Sequence, residues 1–117
     1  KLQIHDISGE IKTQFDTKVI VEYTDHGVPK KFEAVGNGPI DAVQRGLNHE
    51  LGLMVKVLDY EEHALQSGAN SQAAAYIHLL DGESGRVTYG VGVSSNITRA
   101  SVRAIFSAVN RLDVVKS

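Results

Sequence analysis

Residues 31–52 read KFEAVGNGPIDAVQRGLNHELG, and this stretch decides the fold. Its first six residues, KFEAVG, predict a strand that runs through glycine into a helix. Pro39 suits the first helical position, where its missing N–H costs nothing, and Asp41 favours the positive end of the helix dipole. Gly52 ends the helical pattern. The predicted apolar face of this helix carries Ile40, Val43, Leu47 and Leu51.

The residues before this stretch predict the rest of a small sheet. Residues 18–23 (KVIVEY) are rich in β-branched side chains and predict a strand. Asp25, His26, Gly27 and Pro29 then supply turn chemistry, so residues 31–36 return as the partner strand. Residues 2–7 predict an earlier strand with weaker periodicity.

The second half of the chain repeats this plan. Residues 54–58 and 73–80 (AAAYIHLL) predict strands, residues 81–85 a turn, and residues 86–93 (RVTYGVGV) a return strand. Ser94, Ser95 and Asn96 offer caps for a helix. One side of that helix carries Ala100, Ala104, Ile105, Ala108 and Leu112. FEAVG and TYGVG match with their final glycines, Gly36 and Gly92, 56 residues apart. The sequence therefore predicts an α+β fold of two βββα units, with helices packed on the sheets.

Length and composition bound the function. The 117 residues fit a single domain over 1–117, with unit one at about 1–52 and unit two at about 53–117. The net charge of −2 argues against nucleic acid as a partner. No cysteine is present, and no apolar run approaches the ~20 residues needed to span a membrane. With Lys1 at its start, the sequence suggests a piece of a longer cytoplasmic protein.

Two strand-to-helix junctions could bind an anion. Residues 36–38 and 92–96 combine small residues with a helix N-terminus, which presents free N–H groups to a carboxylate or phosphate. The alternative is that the glycines only make tight turns. A dinucleotide fingerprint fails, because Asp41 stands where its third glycine belongs.

The densest ionisable cluster is DYEEH at residues 59–63. It could supply acid–base pairs or metal ligands, but strand alternation would place neighbours on opposite faces, which favours a solvated face. The sequence offers no catalytic set and no metal site. The small residues from Ala64 to Ala75 either allow close packing or leave room for a small apolar ligand.

Three segments together carry a family resemblance. They are GNGPIDA (36–42), DYEEHA (59–64) and GVGVSSNI (90–97), followed by AS (100–101) and AVNR (108–111). In this order and spacing, the chain resembles the allosteric domain of 2-isopropylmalate synthases over about residues 20–111.

The resemblance implies a pseudo-twofold pair of βββα units that follows a catalytic barrel of the same chain and forms a homodimer. It implies leucine, or a related branched-chain amino acid, as effector, bound between the units near the helix N-termini. The barrel would condense acetyl-CoA with 2-oxoisovalerate using a divalent metal, and the domain itself would need no cofactor. The effector-lining residues implied are Gly36, Asn37, Gly38, Asp41, Tyr60, Ala64, Gly68, Ser71, Ala73 and Ile97.

Several alternatives stay open at this point. Asn70-Ser71 replaces an Asp-Ala pair frequent in such domains, and citramalate synthases carry a similar domain that responds to isoleucine. Asp41 could bind the effector ammonium or act only as a helix N-terminal acid. A purely structural dimerisation module and an independent small enzyme are the other two functional hypotheses.

Overall fold

Two three-stranded antiparallel sheets and two helices make up the computed structural model, which describes residues 2–12, 17–65 and 71–112. The elements in chain order are β1 (Leu2–Lys12), β2 (Thr17–Asp25), β3 (Val28–Gly36), α1 (Pro39–Leu51), β4 (Val55–Ala64), β5 (Ala73–Asp81), β6 (Val87–Ser94) and α2 (Ile97–Leu112). Sheet A has the order β1-β2-β3 and sheet B the order β4-β5-β6. The predicted α+β class and the two βββα units are confirmed.

The first hairpin is tighter than predicted. His26 and Gly27 have φ angles of 51° and 83° and form a two-residue turn, as the right-handed strand twist favours. β3 therefore begins at Val28 and includes Pro29, which the sequence predicts in the turn. Pro29 is tolerated because β3 is an edge strand of sheet A.

Two other strands are also longer than predicted. β4 continues to Ala64 instead of ending at residue 58, and β1 extends to Lys12 instead of residue 7. β4 is an edge strand whose second half is largely exposed, so its polar residues lack the apolar alternation that identifies a strand. Its pairing with β5 nevertheless runs from Val55 to Ala64, with one irregularity after Val57.

α1 begins and ends where the sequence predicts, and α2 begins directly after the predicted caps. Gly38 precedes α1, Pro39 occupies its first turn, and Gly52 ends it in the left-handed conformation at φ 64°. Asn96 caps α2, because its Oδ1 accepts the N–H of Arg99 at 3.1 Å. Neither helix of the described part of the chain, at 13 and 16 residues, is long and apolar enough to cross a membrane.

The two units share one core. Each helix packs on the sheet of its own unit and also meets a strand of the other, α1 with β4 and α2 with β1. Tyr23 of β2 lies at the centre, fully buried, and its ring contacts Phe32 of β3 and Phe106 of α2 edge-on at 5.7 and 5.8 Å. Burial of these aromatic side chains therefore stabilises the packing of unit one on unit two.

Side chains of α1 also complete the free edge of β4. The Asn48 amide donates to the Val55 carbonyl at 3.0 Å and accepts the Val55 N–H at 2.9 Å. One turn earlier, Gln44 Oε1 accepts the Val57 N–H at 2.7 Å. The backbone groups of this edge thus find partners in the other unit, which fixes α1 against sheet B.

Glycine in β6 allows α2 to approach sheet B closely. A Cβ atom at Gly90 or Gly92 would overlap the α2 backbone at Ala104, and Gly92 also faces the backbone of Ala100. The alanines of α2 therefore lie directly on β6, which agrees with the prediction that they share one side of the helix.

The repeat is offset from the one we predicted. The hairpins place Gly36 opposite Thr17 and Ser94 opposite Ala73 at the ends of β3 and β6. The structural counterpart of Gly36 is therefore Ser94, and the predicted match with Gly92 is wrong. Gly92 allows close packing of α2 on β6. A comparison of short sequence segments cannot distinguish a glycine required for packing from a glycine required for a turn.

Candidate functional site

A cavity of about 480 Å³ lies between the N-termini of the two helices and β4. We call it the helix-end cavity. Five of the implied effector residues line it, namely Asn37, Gly38, Asp41, Tyr60 and Ile97. The other lining residues are Pro39, Ile40, Glu62, Thr98 and Ser101. Its volume falls within the range of about 300–1,000 Å³ that is common for small-molecule sites.

A second hollow of about 270 Å³ adjoins the helix-end cavity, because Glu62 and Ile97 line both. It brings in Ala64 and Ala73, which are cross-strand partners at the end of sheet B where β4 connects to β5. His63 also lines this hollow. The small side chains of the two alanines thus leave space beside the main cavity.

Among the described residues, two of the implied effector residues, Gly36 and Ser71, do not line either cavity. Gly36 lies below the start of α1, where an added Cβ would come within 2.5 Å of Asp41 Oδ2 and 2.6 Å of the Ala42 nitrogen. It positions the helix and does not face the cavity lining. Ser71 is exposed, and Gly68 lies outside the described residues.

The N-terminus of α1 has no side-chain cap. Gly38 holds the capping position with an extended backbone, φ 164° and ψ 173°, and its carbonyl accepts the first intrahelical bond from Ala42 at 2.9 Å. Because Pro39 has no N–H, the N–H groups of Ile40 and Asp41 are the ones left without an acceptor inside the helix. Both residues line the helix-end cavity, so this end of the helix suits a carboxylate.

Asp41 closes the start of α1 from the side. One of its oxygens, Oδ2, accepts the Asn37 N–H at 2.9 Å and the Arg45 Nε–H at 2.9 Å. The structure therefore shows the helix-terminal role that the sequence left open for Asp41. A role in binding the effector stays a prediction.

A polar cluster at the other wall joins β4 to α2. The Tyr60 hydroxyl lies 2.7 Å from Glu62 Oε2 and 3.0 Å from Ser101 Oγ, and Ser101 Oγ lies 2.9 Å from the Ile97 carbonyl. Burial raises the pKa of Tyr60; the contact with Ser101 opposes this shift and the contact with the Glu62 carboxylate adds to it. Tyr60 is therefore neutral at pH 7, with one proton to donate.

Glu62 and Ser101 were missed by the sequence reasoning, although each had a signal. Glu62 lies two residues after Tyr60 and so shares its face of the strand, and Ser101 lies four after Ile97 and shares its face of the helix. The predicted alternation in β4 is confirmed, because Tyr60 pairs with the buried Ile77, whereas Glu61 pairs with the exposed Tyr76. Within the described residues, no three His, Asp or Glu side chains gather as metal ligands would.

Known proteins with similar sequences identify the family. The family model for the LeuA allosteric (dimerisation) domain matches residues 1–113. Proteins named 2-isopropylmalate synthase are 44% identical in Kocuria rhizophila over 93% of this chain, 43% in Rhizobium johnstonii over 85%, and 57% in Parafrankia sp. over 80%. The matched regions are only 16–18% of the length of these relatives. The chain belongs to the LeuA allosteric (dimerisation) domain family.

Proposed function

We propose that this chain is the leucine-binding regulatory domain of a cytoplasmic 2-isopropylmalate synthase, and that leucine in the helix-end cavity inhibits the enzyme. The main observation behind this proposal is that one cavity is lined by the uncapped N-terminus of α1, by the Glu62 carboxylate and by apolar side chains. The names of the chain's relatives support the choice of enzyme, and the description of the family as allosteric supports a regulatory role. Dimerisation and attachment to a catalytic barrel belong to the same proposal.

A free amino acid needs three complementary surfaces, and the cavity offers each. The N–H groups at the start of α1 suit the carboxylate. Glu62 suits the ammonium, because a carboxylate has about four lone-pair sites and the Tyr60 hydroxyl occupies one of them. Ile97, Ala64 and Ala73 offer an apolar slot for the isobutyl group.

The energetics require all three surfaces. Burying the leucine side chain is worth roughly 2–3 kcal/mol, whereas micromolar affinity corresponds to about 8 kcal/mol. The polar contacts with the carboxylate and the ammonium must supply most of the remainder. An amino acid with a side chain of similar size but different branching would keep those contacts. It would lose only part of the free energy gained by burying the side chain.

The test is calorimetric titration of leucine, isoleucine and valine into the wild type and Gly38→Leu. An added Cβ at Gly38 meets nothing within 4 Å, and the extended backbone there accepts any residue, so this variant is expected to fold. Its larger side chain enters the cavity, and leucine affinity should fall at least tenfold. Lys31→Leu, which adds the same side chain on an exposed part of β3, is the matched control.

The outcomes separate the hypotheses. Leucine preference lost in Gly38→Leu and kept in Lys31→Leu supports the proposal. Isoleucine preference would move the assignment to a citramalate synthase. A folded wild type that binds none of the three amino acids would contradict the sensor function and favour a structural module.

A further inference from the structure

The outer face of sheet B, opposite α2, is apolar and exposed. The inner residues of β5 and β6, including Ile77 and Gly90, pack against α2, so their neighbours point outwards. Four cross-strand pairs form the outer face: Leu80 with Val87, His78 with Tyr89, Tyr76 with Val91, and Ala74 with Val93. On β6 the exposed fractions are 42% for Val87, 54% for Tyr89, 43% for Val91 and 37% for Val93.

Aromatic rings are already ordered on this face. His78 meets Tyr89 edge-on with centroids 4.4 Å apart, and His63 of β4 meets Tyr76 at 5.5 Å. Rings held in place by neighbours lose little entropy on binding, and aromatic side chains are enriched in protein interfaces. The face therefore has the composition and the order of a docking surface.

Sheet A provides an internal comparison. On the outer face of β2 and β3, Lys18 and Glu33 form a salt bridge at 2.8 Å, and Glu22 pairs across the strands with Lys31. Ile20 and Val35 share this face, but the charged side chains separate them, which is typical of a solvated sheet face. In the described parts of the chain, the two units thus share a fold but differ in the polarity of their outer sheet faces. A contiguous apolar patch on only one of these faces indicates an interaction site.

Strand addition at the edges of sheet B is disfavoured by the side chains that cover them. On β6, Arg103 Nη1 donates to the Val93 carbonyl and Arg111 Nη1 to the Tyr89 carbonyl, both at 2.7 Å. On β4, Asn48 and Gln44 hold the groups described above. Face-to-face packing is the mode left open to this sheet.

We propose that the outer face of sheet B packs against the same face of a second copy of this chain, with the twofold axis parallel to β5. This rests on the proposed self-association and names its surface. Charge selects the axis. An axis parallel to β5 places the outer side of β4, where Asp59 and Glu61 outnumber Lys56, over the second copy's β6 edge, which carries Arg103 and Arg111. An axis across the strands would place this net-acidic strand over its own copy.

The size of the face sets the expected strength. Three strands about 4.8 Å apart and eight residues at about 3.4 Å per residue cover roughly 400 Å² in projection. Stable interfaces bury about 800 Å² on each partner. We therefore expect a dimer of this chain that dissociates at measurable concentrations.

The first test is sedimentation equilibrium of the wild type, Val91→Lys and Val35→Lys. Val35 is the matched control, because it is an exposed valine at 50% on the outer side of β3. We expect a concentration-dependent dimer for the wild type and Val35→Lys, and at least tenfold weaker association for Val91→Lys, with unchanged circular dichroism for all three. A wild type that stays monomeric, or a Val91→Lys that associates like the wild type, would overturn the proposal.

The axis has its own test, since the chain has no cysteine. Tyr76→Cys and Leu80→Cys, made singly, should each cross-link to its own copy with a bifunctional maleimide, because every outward residue of β5 faces itself across an axis parallel to the strand. Cross-linking at only one of the two positions would overturn this axis. Leucine titration of Val91→Lys distinguishes the two proposals. The self-association measurements test the docking face, and the leucine titration tests the effector site independently of them.

Discussion

The Tyr60 hydroxyl donates to Glu62 Oε2 at 2.7 Å, so a phenol from the middle of β4 holds the carboxylate two residues further along the strand. Three oxygen contacts in this cluster share only two hydroxyl protons, those of Tyr60 and Ser101. When Glu62 is ionised, the Tyr60 hydroxyl donates its proton to the carboxylate. The Ser101 hydroxyl can then donate either to the Tyr60 oxygen or to the Ile97 carbonyl. Glu62 is thereby fixed at the cavity wall as an acceptor.

Glu62→Gln should weaken leucine binding without disturbing the fold. The amide oxygen can still accept the Tyr60 proton, but the charge that would attract an ammonium is removed. Hydrogen bonds to charged groups are worth about 1.5–3 kcal/mol, so calorimetry should show a roughly tenfold to hundredfold rise in Kd. Unchanged thermal unfolding would show that the loss is local to the site.

Glu61→Gln is the matched control for this prediction. Glu61 is the neighbouring residue with the same charge, but it pairs with Tyr76 on the outer face of sheet B. Its neutralisation should leave the leucine Kd within about twofold. Equal losses in the two variants would point to long-range charge and not to contact with the ligand.

Asn48→Ala should destabilise the domain by separating α1 from β4. The variant removes two hydrogen bonds and leaves the N–H and carbonyl of Val55 without partners at a partly buried edge. At about 1 kcal/mol for each lost bond, the free energy of unfolding should fall by roughly 2–3 kcal/mol in chemical denaturation. His49→Ala, at the exposed next position of the helix, should change it by less than about 0.5 kcal/mol. Similar values for the two variants would contradict this role of Asn48.

The sequence was sufficient for the elements whose signals are local. Pro39 and Gly52 delimit α1, and alternation of apolar residues identifies the centres of β2 and β5. The second half of β4 could not be assigned in the same way, because an exposed edge strand has no buried periodicity and its length depends on pairing with β5.

The candidate site was predicted in the same uneven way. Asn37 and Gly38 follow from the first strand-to-helix junction, whereas Ile97 is implied by the family resemblance, and all three line the cavity. Ser101 meets Tyr60 across 41 residues of sequence, and such a contact depends on how α2 lies on sheet B. Only the family resemblance implies Gly36 as a lining residue, whereas in the structure it makes room for α1 itself.

Asp81→Asn should reduce stability at neutral pH and lose that effect in acid. The Ser84 hydroxyl, at 2.8 Å, and then the Glu83 N–H, at 3.1 Å, hold the pKa of Asp81 below its usual value. A carboxyl whose folded pKa is lowered stabilises the fold above the unfolded pKa of about 3.9, and this contribution disappears as pH falls through the folded pKa. We expect a difference in unfolding free energy from the wild type of about 1 kcal/mol at pH 7, which shrinks below about pH 4. Glu83→Gln, an exposed position in the same turn, serves as the control and should show a smaller difference. A difference for Asp81→Asn that stays constant from pH 7 to pH 3 would show that the turn does not prefer the ionised carboxyl.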